Sequence, residues 1–217
     1  TSASAAITVG TDSTAVGHQA LLLNTTAGNT AVGSGAMDAC TTGTGTAVGS
    51  NALGAMTRGV NNTAVGTSSL AAITINDDCT AVGHQALIST TGSSNTGLGA
   101  RALFTNTAGT KNVAVGTDAL NGNTTGNDSI AIGYRSLYVA TSGTGNIAIG
   151  SSALASTTIG VDNIALGWNT LAVNTNGNRN IGIGVQALGA NKTGIDSIAV
   201  GAYSLFRATS GTNNIAI

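Results

Sequence analysis

Asn146-Ile147-Ala148-Ile149-Gly150-Ser151-Ser152-Ala153-Leu154 is followed by Ala155 to Asp162, and the pattern then restarts at Asn163. In an extended strand Ile147 and Ile149 share one face, while Ala148 and Gly150 share the other. Gly150 turns the chain and Leu154 returns an apolar group to the core. The same signature, apolar-Ala-Val/Ile-Gly, closes at Gly17, Gly33, Gly49, Gly66, Gly83, Gly99, Gly116, Gly133, Gly150, Gly167, Gly184 and Gly201, always 16 or 17 residues apart. A unit that short cannot bury its own apolar face and must stack on its neighbours. The spacing predicts an all-β chain, a parallel β-roll or β-solenoid of about twelve rungs. Two short strands and two turns per rung fit the period, and helical periodicity is absent.

Outward from that stretch, the columns recur from rung to rung. Leu154 belongs to Leu21, Met37, Leu53, Leu70, Leu87, Leu103, Leu120, Leu137, Leu171, Leu188 and Leu205, with no polar exception. Eight residues past the glycine runs a Thr ladder from Thr25 to Thr209, broken by Lys192, and Asn opens many rungs. The first strand position is Thr from Thr14 to Thr96, Val at Val113 and Ile from Ile130 to Ile215. Taken as a core position, it makes the Ile half the more stable, by about 1 kcal/mol or more per site. The expected organisation is an irregular segment 1–12, then a solenoid over 13–217, with Thr-type rungs to about 112 and Ile-type rungs from about 113.

Charged residues are only 7% of the chain and the formal net charge is −1. Stacking explains the deficit, because like charges in one column sit about 4.8 Å apart and repel at each rung. Thr and Asn can instead bond their copies above and below. The seven basic residues are scattered, which gives no footprint for nucleic acid or an anionic membrane. No stretch reads as a membrane-spanning helix or signal peptide. Cys40 and Cys79 lie in different columns more than two turns apart, which argues against an intrachain disulfide.

The recurring Asn-x-Ala-Ile/Val-Gly resembles the head repeat of trimeric autotransporter adhesins, a left-handed parallel β-roll in which three chains pack through small residues. The longer pattern, Thr/Ile-Ala-Val/Ile-Gly-x-x-Ala-Leu with Thr-x-Gly and Asn following, is similar to repeats in phage and large-virus tail-fibre proteins. The likeness covers residues 13–217, with a longer rung than the adhesin heads use. It implies a left-handed homotrimer, a role in attachment, and an extracellular, cell-surface or virion setting.

Two strips of small residues bear on assembly: the column of Ala131, Ala148 and Ala165, and the column of Ala153. One reading has a neighbouring chain packing on them, because a flat chargeless wall left in water associates. The other has Ala filling a thin interior. Ile215 and Ile217 end the chain inside a rung, and Ile7-Thr8-Val9-Gly10 lies off register, so unpaired strand edges could recruit another copy.

Sites were sought among the irregular residues after each glycine. His18 and His84 share a column four rungs apart, about 19 Å, so one chain cannot place both on one metal. Solvated turn histidines are the expectation. Asn76-Asp77-Asp78 lacks the ligand spacing of a calcium loop, and no nucleophile motif supports an enzyme. Tyr134, Arg135, Trp168, Asn169 and Tyr203, with His18 and His84, are the recognition candidates, because aromatic faces beside amides suit sugars of a cell-surface glycan. Asn24, Asn61, Asn123, Asn127 and Asn191 begin glycosylation sequons. No cofactor is expected. The functional expectation is a non-enzymatic fibre module, the shaft or receptor-binding part of a phage tail fibre or surface adhesin. The alternative is a secreted filament subunit stacking end to end. Ice binding through the Thr ladder is weaker, since the facing column is not a second Thr row.

Overall fold

A computed structural model describes residues 11–217; the Ile7-Thr8-Val9-Gly10 stretch lies outside them. The chain divides into two compact units, Thr1–Ala108 and Gly109–Ile217. The first contains β1 (Thr14–Val16), β2 (Thr30–Val32), β3 (Gly45–Val48), β4 (Asn62–Val65), β5 (Thr80–Val82) and β6 (Thr96–Leu98). The second contains β7 (Val113–Val115), β8 (Ile130–Ile132), β9 (Ile147–Ile149), β10 (Ile164–Leu166), β11 (Ile181–Ile183), β12 (Ile198–Val200) and β13 (Ile215–Ala216). Within each unit every strand pairs in parallel with the next, in the register of the repeat: Ala31 opposite Ala47 in one, Ala148 opposite Ala165 in the other. Each unit is therefore a parallel β-solenoid, and the described residues contain no helix.

Each rung has one strand, where two were expected. Three residues per rung explain this: in the rung of Gly150, Ser152, Leu154 and Asp162 have φ of 57°, 51° and 56°. Left-handed residues break extended geometry, so the second side curls, although its backbone still bonds rung to rung, as from Thr141 N to the Thr158 carbonyl at 3.0 Å. Gly150 itself sits at φ +131°, and a Cβ there would lie 2.5 Å from the Gly167 carbonyl oxygen. Any larger residue would collide with the next rung, which is why the column is Gly throughout.

The strand faces the opposite way from the expectation. Ala31, Ala47, Ala64, Ala81, Ala114, Ala131, Ala148, Ala165 and Ala199 are fully buried inside their own chain, as is Ala153. The Thr, Val, Ile or Leu on either side of each Ala is half-buried or exposed. The interior is thin, and the Leu column, buried from Leu21 to Leu188, already occupies it. Only a small side chain fits opposite. At Gly182 an added Cβ would come 2.6 Å from Cγ2 of Thr170, and at Gly97 it would come 3.3 Å from Cδ1 of Leu87. Thr170 is the largest residue of the Ala153 column, so one enlarged position is matched by one reduced position across the core. Ala131, Ala148, Ala165 and Ala153 thus pack within the chain and form no surface wall. The greater stability expected of the Ile half also loses its basis, because those Ile side chains point outward.

Asn closes the remaining backbone needs. Asn163, fully buried, donates through Nδ2 to the Gly177 carbonyl at 2.7 Å. Its Oδ1 accepts from the backbone N and the Nδ2 of Asn180 on the next rung, at 3.0 and 3.1 Å. Asn146 does the same one rung earlier. Unpaired, these buried amides and carbonyls would cost about 1–3 kcal/mol each, so the Asn ladder holds successive rungs in register.

Candidate recognition surface

After each rung glycine the chain turns off the strand face through two consecutive corner residues, whose side chains range from exposed at Tyr134 and Arg135 to buried at Asp118. The second of them is left-handed, with φ of 52° at Arg135, 57° at Ser152, 56° at Asn169 and 59° at Tyr203. Backbone bonds fix these corners to one another: Ser152 N to the Tyr134 carbonyl at 2.9 Å, and Asn169 N to the Ser151 carbonyl at 3.0 Å. Gln186 N bonds the Trp168 carbonyl at 3.0 Å in the same way. A side chain placed at one corner therefore recurs at the rung spacing, about 4.8 Å per step.

Tyr134 and Trp168 occupy one column two rungs apart, 49% and 50% exposed. Tyr203 lies in the adjoining column, 57% exposed, its ring edge-on to Phe206 at 5.7 Å. Arg135 joins what the sequence leaves separate. Its guanidinium carbon sits 5.2 Å from the centre of the Tyr134 ring and 5.0 Å from that of Tyr138. Its Nε lies 3.9 Å from Oδ2 of Asp118, a nearly buried carboxylate one rung earlier. Tyr138, Asp118 and Phe206 were missed in the sequence; each lies one rung or one turn from a named candidate, but their contacts appear only with the rungs stacked.

Elsewhere the candidates stand apart. Asn169 is half-buried beside Trp168, whereas His18 and His84 are exposed corners of the first unit. No group of three or more His, Cys, Asp or Glu fit to hold a metal occurs among the described residues. Ile215 and Ile217 are exposed. In the Asn76-Asp77-Asp78 turn, Asp77 Oδ1 accepts from Val60 N at 2.8 Å and Asp78 Oδ1 accepts from Asn61 Nδ2 at 3.0 Å. Those carboxylates brace the preceding rung.

Asn24, Asn123 and Asn191 are buried in the interior, so their sequons are closed to glycosylation in the folded chain; Asn61 is exposed. The Thr ladder is likewise engaged within the chain. Thr124 Oγ1 donates to the Thr141 carbonyl at 2.7 Å and Thr141 Oγ1 to the Thr158 carbonyl at 3.0 Å. Both cysteines are free and buried, with thiols held above the ordinary range chiefly by desolvation.

The described residues form no pocket. No helix there is long and apolar enough to cross a membrane. Compared with known protein families, characterised proteins and solved structures, the chain matches none.

Proposed function

We propose that this chain is a non-enzymatic attachment fibre module, working as a left-handed homotrimeric β-roll in the shaft or receptor-binding part of a phage tail fibre or surface adhesin. Its setting would be extracellular, cell-surface or virion. The observation that carries the reading is the outward strand face of the second unit. Ile130, Ile132, Ile149, Ile183 and Ile198 stand 36–40% exposed in two parallel columns. Parallel sheets are ordinarily covered on both faces, and contiguous apolar surface of this kind marks an interaction site. A further copy of the same chain presents the same flat, uncharged face. The interior supports a mechanical role, since its buried Asn side chains are spent on joining rungs. Stacked rungs make a stiff spacer, and the corner residues vary on a constant scaffold, as a recognition surface requires.

Mass photometry and negative-stain microscopy of the purified chain test the assembly. Discrete particles three times 20.9 kDa are expected, falling to single chains in Ile149→Asp/Ile183→Asp. Both side chains point outward, so the substitutions spare the core. A wild-type monomer would remove the reading. Continuous filaments would replace it with end-to-end stacking into a secreted fibre.

A further inference from the structure

The chain has only six aromatic residues, and the core uses Leu and Ala in their place. Tyr134 and Trp168 instead stand half-exposed in one corner column of the second unit, with Tyr203 in the column beside it. Between Tyr134 and Trp168 lies Ser151, so no large side chain stands between the two rings, while Arg135 covers one face of Tyr134. The backbone bonds from corner to corner set the backbone positions of Tyr134 and Trp168 two rungs apart, about 10 Å. That matches the span of two pyranose units in an extended β-linked chain, so alternate sugars would meet alternate aromatic faces.

The neighbouring column supplies polar groups at the same pitch: Arg135, Ser152 and Asn169. Arg135 packs over Tyr134, and Asp118 sits 3.9 Å from its Nε. The contact with the ring holds Tyr134 in place, and the carboxylate offsets the positive charge. A site built this way favours uncharged hydroxyl-rich chains over sulfated or phosphorylated ones, and rigid aromatics supply contact area at low entropic cost.

We propose that the corner column running from Tyr134 over Ser151 to Trp168, with Arg135, Ser152 and Asn169 beside it, binds a neutral, extended β-linked oligosaccharide lying along the stacking direction. The proposal rests on the attachment reading and names its ligand class. It needs no assembled interface, because all six residues belong to one unit of one chain.

The chain has a single tryptophan, so intrinsic fluorescence reports on this strip alone. Full-length protein would be titrated with cellohexaose, chitohexaose and, as a curved α-linked control, maltohexaose. A saturable shift of Trp168 emission with at least one β-linked hexaose, and none with maltohexaose, is expected. Tyr134→Ala should weaken that binding at least tenfold, and Ser151→Lys should weaken it comparably by filling the space between the rings. Unchanged circular dichroism would certify the fold of each variant. Absence of a shift with every hexaose, an equal response to maltohexaose, or insensitivity to both substitutions overturns the proposal. The attachment reading is judged separately by the mass of the particles: trimers without sugar binding would sink the strip alone, and sugar-binding monomers would sink the trimeric fibre alone.

Discussion

Leu154 is fully buried and has φ +51°, and every member of its column lies between +48° and +53°. Its side chain and its backbone thus pull in opposite directions, and substitution can separate them. Leu154→Ala removes core volume and should cost about 3–5 kcal/mol, while the Ala keeps the left-handed penalty of about 1–2 kcal/mol that any L-residue bears. Leu154→Gly loses slightly more volume but escapes that penalty. Against it stands the greater freedom of Gly in the unfolded chain, worth about 0.4–1 kcal/mol. The balance leaves the Gly variant equal to the Ala variant or up to about 1 kcal/mol more stable. In ordinary helix or strand positions the order is reversed, Gly being worse than Ala by about 0.5–1 kcal/mol. Ala153, the neighbouring buried residue, lies outside the left-handed set and is the control. Ala153→Gly should cost about 1–2 kcal/mol, from the lost methyl and the added freedom. Urea melts of the four proteins followed by circular dichroism give the comparison, provided the slopes agree. A Leu154→Gly variant about 1 kcal/mol less stable than Leu154→Ala would refute the claim that the core column is held against its backbone preference.

Asn163→Ala should cost about 3–5 kcal/mol in the same assay, because it strips partners from the Gly177 carbonyl and the Asn180 backbone amide inside the core; a loss below about 1 kcal/mol would mean the Asn ladder is dispensable. Alkaline pH should weaken the fold through Cys40 and Cys79, whose thiols burial holds above the ordinary range. The folded state favours the neutral thiol, so stability is full below the ordinary thiol range and falls as pH rises above it. Melts across that range should show the decline in the wild type and its absence in Cys40→Ala/Cys79→Ala, and an equal decline in both would exclude the thiols as its source.

The rung period, the Leu column and the Asn that opens many of the rungs were all legible, because stacking repeats them at one place in the sequence. Which face of the strand is inside was not legible. Ile147-Ala148-Ile149 puts the larger apolar area on the Ile side, and the ordinary preference for buried Ile then points inward. What decides the matter is the width of the interior, which depends on Leu154 entering from the opposite side. Opposition of that kind shows only in paired exceptions such as Thr170 and Gly182. The single strand per rung was hidden for a related reason. A left-handed residue is sought at Gly or Asn, and here it recurs at Leu. The corner aromatics were visible as irregularities in a regular column. Their setting was not, because Asp118 and Tyr138 reach Arg135 only once rungs are stacked and the corners curled.

Turning the strand over also changes what the Thr-to-Ile substitution along the chain means. An inward column of Ile would be a matter of stability. An outward one does nothing for the core, since Ala47 and Ala148 are buried alike under Thr46 and Ile147. The interior of each unit is built from the same Leu, Ala and Asn columns, so the fold tolerates either residue outside. Exposed Ile is unfavourable in water by the area it leaves wet, about 25 cal/mol per Å², and Thr in that column would avoid the cost. A column that keeps the costly residue through β8, β9, β10, β11 and β12 therefore fits a surface withdrawn from water; in the first unit the same column is Thr, and only the Val and Leu column beside it, exposed at Val16, Val48 and Leu98, is apolar. On the trimer reading the two units then differ in how dry their contacts are, with the stronger contact made by the second. Replacing Ile130, Ile147, Ile164, Ile181 and Ile198, the first residues of β8 to β12, with Thr should leave the fold of one chain intact while weakening the assembly, whereas the same exchange at the Leu154 column should destroy the fold itself.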